Sequence, residues 1–417
     1  MTMLACVTPQ MGAVFTIKSA PPRLWSPAFT EHAMSLQIPA GPLSIVPVTS
    51  KKQWRDFHHL PFAIYRDDPK WVPPLLIERQ LHFTAKHNPY FQHAKAAFFL
   101  AYRGDTSVGR ITAQIDDLHV ARYGAEGHFG FIEAFDDAEV FAALLDTAET
   151  WLRDNGMKTV IGPVSFSLWD QPGLLVEGFD TPPYVMMGHA LPYFAGHIAA
   201  RGYQPAEDLI AYRYGPDAPT EMLHKLLQRS LRRGEVTLRN IRMDKAHFEQ
   251  EVAMLLDIIN DAWSDNWGFV HMTRAEIDDL AGILKLLLRP GDVAIAEYQG
   301  EPAAFAAIFP NLNEAIADMN GRLLPFNWAK LLWRMKVSRP KTARMPMMGV
   351  RKKHQATPVG AALSLSVIQS VRDFNFAHGV VDSELSWILS RNTSVDHVIR
   401  MVGGQPYKRY RIYKKPL

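Results

Sequence analysis

One order of secondary-structure elements is written twice along this chain, and that repetition restricts the fold more than any single motif. The first pass opens on a strand, LSIVPV, and a helix, KKQWRDFHHLPFAIYRDD, with Trp54, Phe57, Leu60 and Ile64 at helical spacing. Two strands then flank the Gly104-Asp105 turn in AAFFLAYRGDTSVGRITAQIDD, a hairpin signature. The strand HFGFIEAF, a helix ended by Gly156, the strand KTVIGPVSF, a helix ended by Gly202 and the strand DLIAYRYG complete it. The second pass starts from the helices TEMLHKLLQRSLRRG and HFEQEVAMLLDIINDAWS. It then repeats the hairpin around Gly300, the strand ARMPMMGV, a helix ended by Gly379, the strand VVDSELSW, the helix SVDHVIRMVGG and the strand YKRYRIY. Such alternation predicts a mixed α/β (α+β) module. Its recurrence predicts a duplication, with modules over residues 43–215 and 216–417, in a chain of 417 residues that exceeds one hydrophobic core.

Composition removes several function classes. The single cysteine, Cys6, excludes an intramolecular disulfide and cysteine-cluster metal sites and fits a reducing cytoplasm. The 16 histidines are dispersed without H-E-x-x-H spacing, so no metal is expected. A net charge of +3 gives no argument for nucleic acid as a partner. No apolar run is long enough for a spanning helix. Residues 1–42 scatter Pro, Ser and Thr without a basic start or cleavage site, which reads as a flexible extension with Met34 as an alternative start.

The stretch HQATPVGAALSLSVIQ, residues 354–369, is a polar turn running into an apolar helix. A helix start leaves backbone N–H groups unpartnered and carries partial positive charge, so such a turn is an anion cradle. The competing reading is that Thr357 caps the helix, Pro358 fills its first turn and nothing binds. Its surroundings favour a ligand, because the turn and its module resemble the GNAT N-acyltransferases. Their phosphate loop, Q/R-x-x-G-x-G/A, holds the pyrophosphate of coenzyme A after the fourth strand. Gln355 and Gly360 match that pattern, and Pro358 replaces its first glycine. The resemblance implies a mostly antiparallel central sheet flanked by helices in each module. It implies acyl-CoA as co-substrate, with no permanently bound cofactor, held by Val350, Gln355, Thr357, Val359, Gly360 and Ala361. The superfamily's downstream element is present at Asn392 and Gly403, which adds Asn392 to the coenzyme set, but Ile399 stands where the family has a tyrosine. His397, Tyr407 and Tyr410 are therefore the candidates to protonate the leaving thiolate. The first module has Asp136, Asp137 and Glu139 at the equivalent turn, where carboxylates repel a polyanion, so it is expected to be degenerate for coenzyme A.

From residue 43 onward the chain is also similar to the bacterial ceramide synthases, through VGRI, FGFIEAFDD, IGPVSFSLWDQPGLLVEGFDTPP and ELSWILSRNTSVDHVIRMVGGQPYKRYRIYKKPL. That similarity implies transfer of a long acyl chain from a thioester to the amine of a sphingoid base. Glu384 is the first candidate for the base that takes the ammonium proton. Strand alternation places Asp382, Glu384 and Ser386 on one face, where burial favours a proton-accepting carboxylate. His354, beside the phosphate turn, is the second candidate. The oxyanion donor is expected near Gly349 or Val350.

Residues 323–344, LLPFNWAKLLWRMKVSRPKTAR, combine Trp, Phe and Leu with Lys330, Arg334, Lys336, Arg339, Lys341 and Arg344 and carry no acid. They read either as a helix docking peripherally on the anionic inner membrane or as a core helix with a solvated basic face. Two other functions compete: a non-catalytic scaffold that binds acyl-CoA or lipid, and an aminoacyl or peptidyl transferase of the double-module type.

Overall fold

The computed structural model describes residues 41–216 and 236–417. The extension expected over 1–42 falls almost wholly outside them, and so does the helix expected at 220–234.

Local chemistry sets the elements. A capping box between Ser50 and Gln53 starts α1 (Lys51–Ile64), which follows β1 (Leu43–Pro47) and buries Phe57, Leu60 and Ile64 as the spacing predicts. After α2 (Leu76–His82), the hairpin of β2 (Ala94–Arg103) and β3 (Thr106–Asp116) turns at Gly104, whose φ of 57° suits glycine. The first half continues through α3 (Asp117–Tyr123), β4 (Glu126–Ala134), α4 (Ala138–Asp154) and β5 (Thr159–Gly162). Short strands β6 (Val164–Ser165), β7 (Gln171–Pro172) and β8 (Leu174–Glu177) precede α5 (Tyr193–Ala200) and β9 (Gln204–Tyr214). The second half has β10 (Val236–Asn240), α6 (Phe248–Trp263), α7 (Arg274–Leu287), β11 (Val293–Tyr298) and β12 (Glu301–Pro310). It ends with α8 (Leu312–Ile316), α9 (Asn327–Trp333), β13 (Thr342–Val350), α10 (Pro358–Ala377), β14 (Asp382–Leu389), α11 (Thr393–Met401) and β15 (Gln405–Pro416).

Thirteen of these strands make one sheet in the order β1-β2-β3-β4-β5-β15-β9-β14-β13-β12-β11-β10, with β8 added beside β15, and β6 pairs with β7 in a separate two-stranded sheet. Read from both ends, the order is a palindrome of equivalent strands. The terminal strands are exchanged: β9 of the first half pairs with β14, and β15 of the second half pairs with β5. The repeat in the sequence foretells the equivalent elements but not this exchange, which depends on long-range pairing.

Among the described residues two strand pairs are parallel, β4 with β5 and β13 with β14, and they occupy equivalent places. Thr342–Met345 pairs with residues 382–385, after which the two strands part. Both faces of the second half are covered. Leu363, Val367 and Val371 of α10 pack on Ala304, Ala306 and Ile308. Leu256 and Ile259 of α6 pack on Phe305, Ala307 and Phe309. A strand covered on both faces reads as continuously apolar, which explains AAFAAIFP in β12.

Candidate active site

The parallel register of β13 and β14 sets Arg344 opposite Glu384. Alternation along β14 sends Leu385 into the α10 core and turns Glu384 and Ser386 to the other face. Because that face is also covered, Glu384 is 0 % exposed, not solvent-facing. A carboxylate is buried only when its oxygens are partnered. Tyr407, on β15, donates its hydroxyl to Oε2, and Ser386 Oγ donates to Oε1. Arg344, 2 % exposed, places Nε 3.6 Å from Oε1. Its Nε donates to Ser386 Oγ at 2.8 Å, and a terminal nitrogen donates to the Val185 carbonyl at 3.0 Å.

The loop that supplies Val185 is pinned from several sides. Asn311 accepts from Val185 N–H at 3.0 Å, and Asn313 donates to the Pro183 and Tyr184 carbonyls at 3.0 Å. Lys408 Nζ donates to the Thr181 carbonyl at 2.8 Å and to that of Pro182 at 3.2 Å. Gly178 has φ of 86°, and a β-carbon there would collide with the Tyr407 carbonyl, so the loop crosses tightly over β15. Met187 is buried with Sδ 3.6 Å from Ser386 Oγ. Burial, together with the charge of Glu384, pushes the Tyr407 phenol far above its usual range. Burial pulls the Lys408 ammonium down to about 8, against the opposing pull of Glu384, Asp180 and Asp68.

At the other end of β13, the turn from His354 to Thr357 leads into the 20-residue α10. Gln355, Ala356, Thr357 and Pro358 are exposed, and Ala356 has φ of 56°. Gly360 is needed because a β-carbon there would collide with the His354 carbonyl. Thr357 is the helix cap: its Oγ accepts from Gly360 N–H at 3.1 Å, and its carbonyl accepts from Ala361 N–H at 3.1 Å. Of the backbone N–H groups of Val359, Gly360 and Ala361, only that of Val359 lacks a partner among the described residues. Gln355 Nε2 donates to the Val350 carbonyl at 2.8 Å. The cations ahead of the turn are ion-paired, Arg351 with Asp257, Lys352 with Asp265 and Lys353 with Glu301.

The structure therefore brings together Glu384 and Tyr407, and on the turn Val350, Gln355, Thr357, Val359, Gly360 and Ala361. It separates other candidates from the carboxylate. His354 packs edge-on against Tyr298 at 5.1 Å, ten residues along the chain from Arg344. Asn392 spends its side chain capping α11 through Val395 N–H at 3.2 Å, and His397 is exposed on that helix. Ile399 packs into the α10 core, so the family tyrosine has no counterpart there. Tyr410 is fully buried, and its hydroxyl has no hydrogen-bond partner among the described residues. Arg344 and Arg339 correct the reading of 323–344 as a wholly basic face: Arg344 points inward to Glu384, and Arg339 pairs with the buried Asp292 at 3.3 Å. Sequence reasoning missed Arg344 and Lys408 as parts of this cluster. A basic residue flanked by apolar ones within a strand, as in TARM, is the signal that could have found Arg344.

The equivalent gap in the first half is filled. Gly130, just past the parting of β4 and β5, leaves space that the Val164 carbonyl occupies, 2.5 Å from where a β-carbon would stand. Phe131 N–H donates to Ser165 Oγ at 3.1 Å, and Phe166 packs on Phe131 with ring centroids 5.0 Å apart. Asp137 caps α4 and pairs with Arg103 at 2.7 Å, so that helix start is already occupied by an acid.

Among solved structures, the chain resembles a tandem GNAT protein from the clavulanic acid biosynthesis pathway, with a TM-score of 0.53 and 13% identity over 90% of this chain and 98% of that one. The duplicated fold is that of the tandem GNAT class. Among curated proteins, bacterial ceramide synthase of Caulobacter vibrioides is 44% identical over 90% of this chain and 98% of its own length. Protein YghO of Escherichia coli (strain K12) is 44% identical over 88% of this chain and 94% of its own. The chain belongs to the family of these two proteins. No protein-family model matches it.

Proposed function

We propose that the second half, residues 216–417, moves a long acyl chain from a coenzyme A thioester to the amine of a sphingoid base. On this reading the first half, 43–215, is degenerate for coenzyme A. The observation that carries the proposal is the Glu384–Tyr407 pair set beside the strands that part beyond Met345. The filled gap and the acidic helix cap of the first half support the division of labour. The name of the Caulobacter relative supports the choice of acceptor.

The chemistry follows from the pair. A substrate ammonium gives one proton to Tyr407 Oη as the Tyr407 proton passes to Glu384, leaving a neutral amine. The amine attacks the thioester carbonyl, and the charge that develops on oxygen needs N–H donors. Trp263 Nε1 donates to the Met348 carbonyl at 3.0 Å, as Gln355 does to that of Val350. In an antiparallel ladder a residue turns its N–H and C=O to the same side, so Met348 and Val350 are the donors this reading selects over Gly349. Collapse breaks the C–S bond, and the amine nitrogen's second proton goes to the departing thiolate through Tyr407. Amide and free thiol are the products, and the proton on Glu384 leaves for solvent through the partly exposed Tyr407.

The same reading places the protein peripherally on anionic membrane through residues 324–337. Phe326 is 80% exposed, Trp328 51% and Trp333 57%. Among the described residues no helix is long and apolar enough to cross a membrane. Lys330 and Arg334 both pair with Asp318, so apolar insertion outweighs charge in this contact.

Purified protein incubated with palmitoyl-CoA and sphinganine tests the proposal. The expected result is N-palmitoyl sphinganine and free thiol in equal amounts; thiol without amide, or neither product, overturns it.

A further inference from the structure

Trp263, the last residue of α6, spans the opening between the parted strands. Its indole Nε1 donates to the Met348 carbonyl of β13 at 3.0 Å, and its ring lies 6.1 Å from that of Trp387 on β14. Met348 lies beyond the residues that β13 pairs with β14, and a strand edge that has lost its neighbour leaves backbone groups in need of partners. Trp263 supplies one of them. A tryptophan at a helix end has several rotamers open to it, so packing must select the one that reaches Met348.

That packing comes from the first half. Trp169, in the turn between β6 and β7, stacks on Trp263 with ring centroids 5.5 Å apart and planes 2° from parallel. Trp169 is itself fixed: its backbone N–H donates to Ser167 Oγ at 3.2 Å, its Nε1 donates to the Val270 carbonyl at 2.8 Å, and its ring meets Phe269 edge-on at 5.5 Å. Tyr123, at the end of α3, donates to the Phe269 carbonyl at 3.0 Å. Gly268 leaves room for Leu168, whose Cδ1 is 2.6 Å from where a β-carbon would stand. The first half thus grips the loop that follows α6 as well as the ring at the end of that helix.

We propose that Trp169 is a positioning residue for the reaction of the second half: it fixes Trp263, and Trp263 fixes the β13 backbone at Met348. The inference rests on the acyltransferase reading above, in which the Met348 N–H meets the charge that develops on the thioester oxygen. Met348 turns its N–H and C=O to the same side of β13, so a donor that anchors the carbonyl also sets the direction of the N–H. Such donors are effective only when they are held in place before the charge forms. A half that is degenerate for coenzyme A then keeps a role, because it holds the donor strand of the other half. A misaligned donor weakens the transition state more than the bound substrate, so the loss falls on kcat and not on KM.

Trp169→Leu removes the stack and the indole N–H, and Trp169→Phe keeps an aromatic face against Trp263. Trp263→Phe keeps that face but loses the bond to Met348, and it keeps the test decisive if Trp169→Leu does not fold. Turnover of palmitoyl-CoA and sphinganine by the full chain should show kcat about ten- to a hundredfold lower in Trp169→Leu and in Trp263→Phe, with KM for palmitoyl-CoA within about threefold of the parent. Trp169→Phe should recover most of the loss, and the variant carrying both Trp169→Leu and Trp263→Phe should lose little more than either alone. Without substrate, amide hydrogen exchange over residues 346–350 should be about tenfold faster in these two single variants than in the parent. Unchanged exchange there, a loss confined to KM, or losses that multiply in the double variant overturn the inference. A parent that forms no amide while exchange responds as expected would sink the transferase reading and leave the hold of Trp169 on β13 in place.

Discussion

Arg344 Nε stands 3.6 Å from Glu384 Oε1, and both side chains are closed off from solvent. Two charges in such a place hold each other there, because neither has water to fall back on. Replacing Arg344 by Met leaves the carboxylate without its cation. We expect a loss of about 3–5 kcal/mol in unfolding free energy, measured by urea titration at neutral pH. A loss below about 1 kcal/mol would mean that the ion pair contributes little to the fold.

Glu384→Gln keeps the shape of the side chain and removes its basicity. Palmitoyl-CoA binding should persist while turnover falls by roughly two to four orders of magnitude. Tyr407→Phe interrupts the same proton path, so it should cost a similar factor, and the double variant little more than either single one. Multiplying losses would show that the two residues act separately, and full activity in Glu384→Gln would move the base to His354.

Burial depresses the Lys408 ammonium to about 8 from an ordinary 10.5. Below about pH 8 folded and unfolded chains both hold the proton, and the cost of burying the charge is fully present. Between these values the unfolded chain binds the proton more strongly, so this group's contribution to stability rises with pH through that window. Urea midpoints of the parent and Lys408→Met at pH 7.5 and 9.5 should show the parent gaining relative to the variant. A parallel pH response in both would remove Lys408 as the cause.

The repeated elements were legible because period and turn chemistry are local properties. Gly104, Gly156, Gly300 and Gly379 end or turn elements where the sequence predicts. Thr273 and Glu276 reciprocally cap α7 from the pattern T-x-x-E. Glu384 and Tyr407 could each be nominated from sequence, but their pairing could not, because they are 23 positions apart and the exchange of β15 brings them together. Arg344 was hidden for a related reason. The apolar flanks in TARM mark it as a residue that could turn inward, but only the register of β13 against β14 shows that Glu384 is the group it meets.

The exposed segment 324–337 predicts association with vesicles containing phosphatidylglycerol. Trp328→Ser with Trp333→Ser should abolish flotation and slow transfer involving membrane-held substrates, while transfer between soluble short-chain substrates stays unchanged. Because Asp318 neutralises part of the charge on Lys330 and Arg334, salt should weaken the parent's binding only modestly. Failure of the parent to float at low salt would end the membrane-docking idea.

The claim that one half reacts while the other is filled is tested most directly by hydrogen exchange with and without coenzyme A. The exposed turn at 355–358 and the unpartnered Val359 N–H predict protection centred on residues 350–362, with residues 130–145 unchanged. Protection centred on 130–145, where Asp137 already caps α4 and β6 fills the gap, would contradict the account.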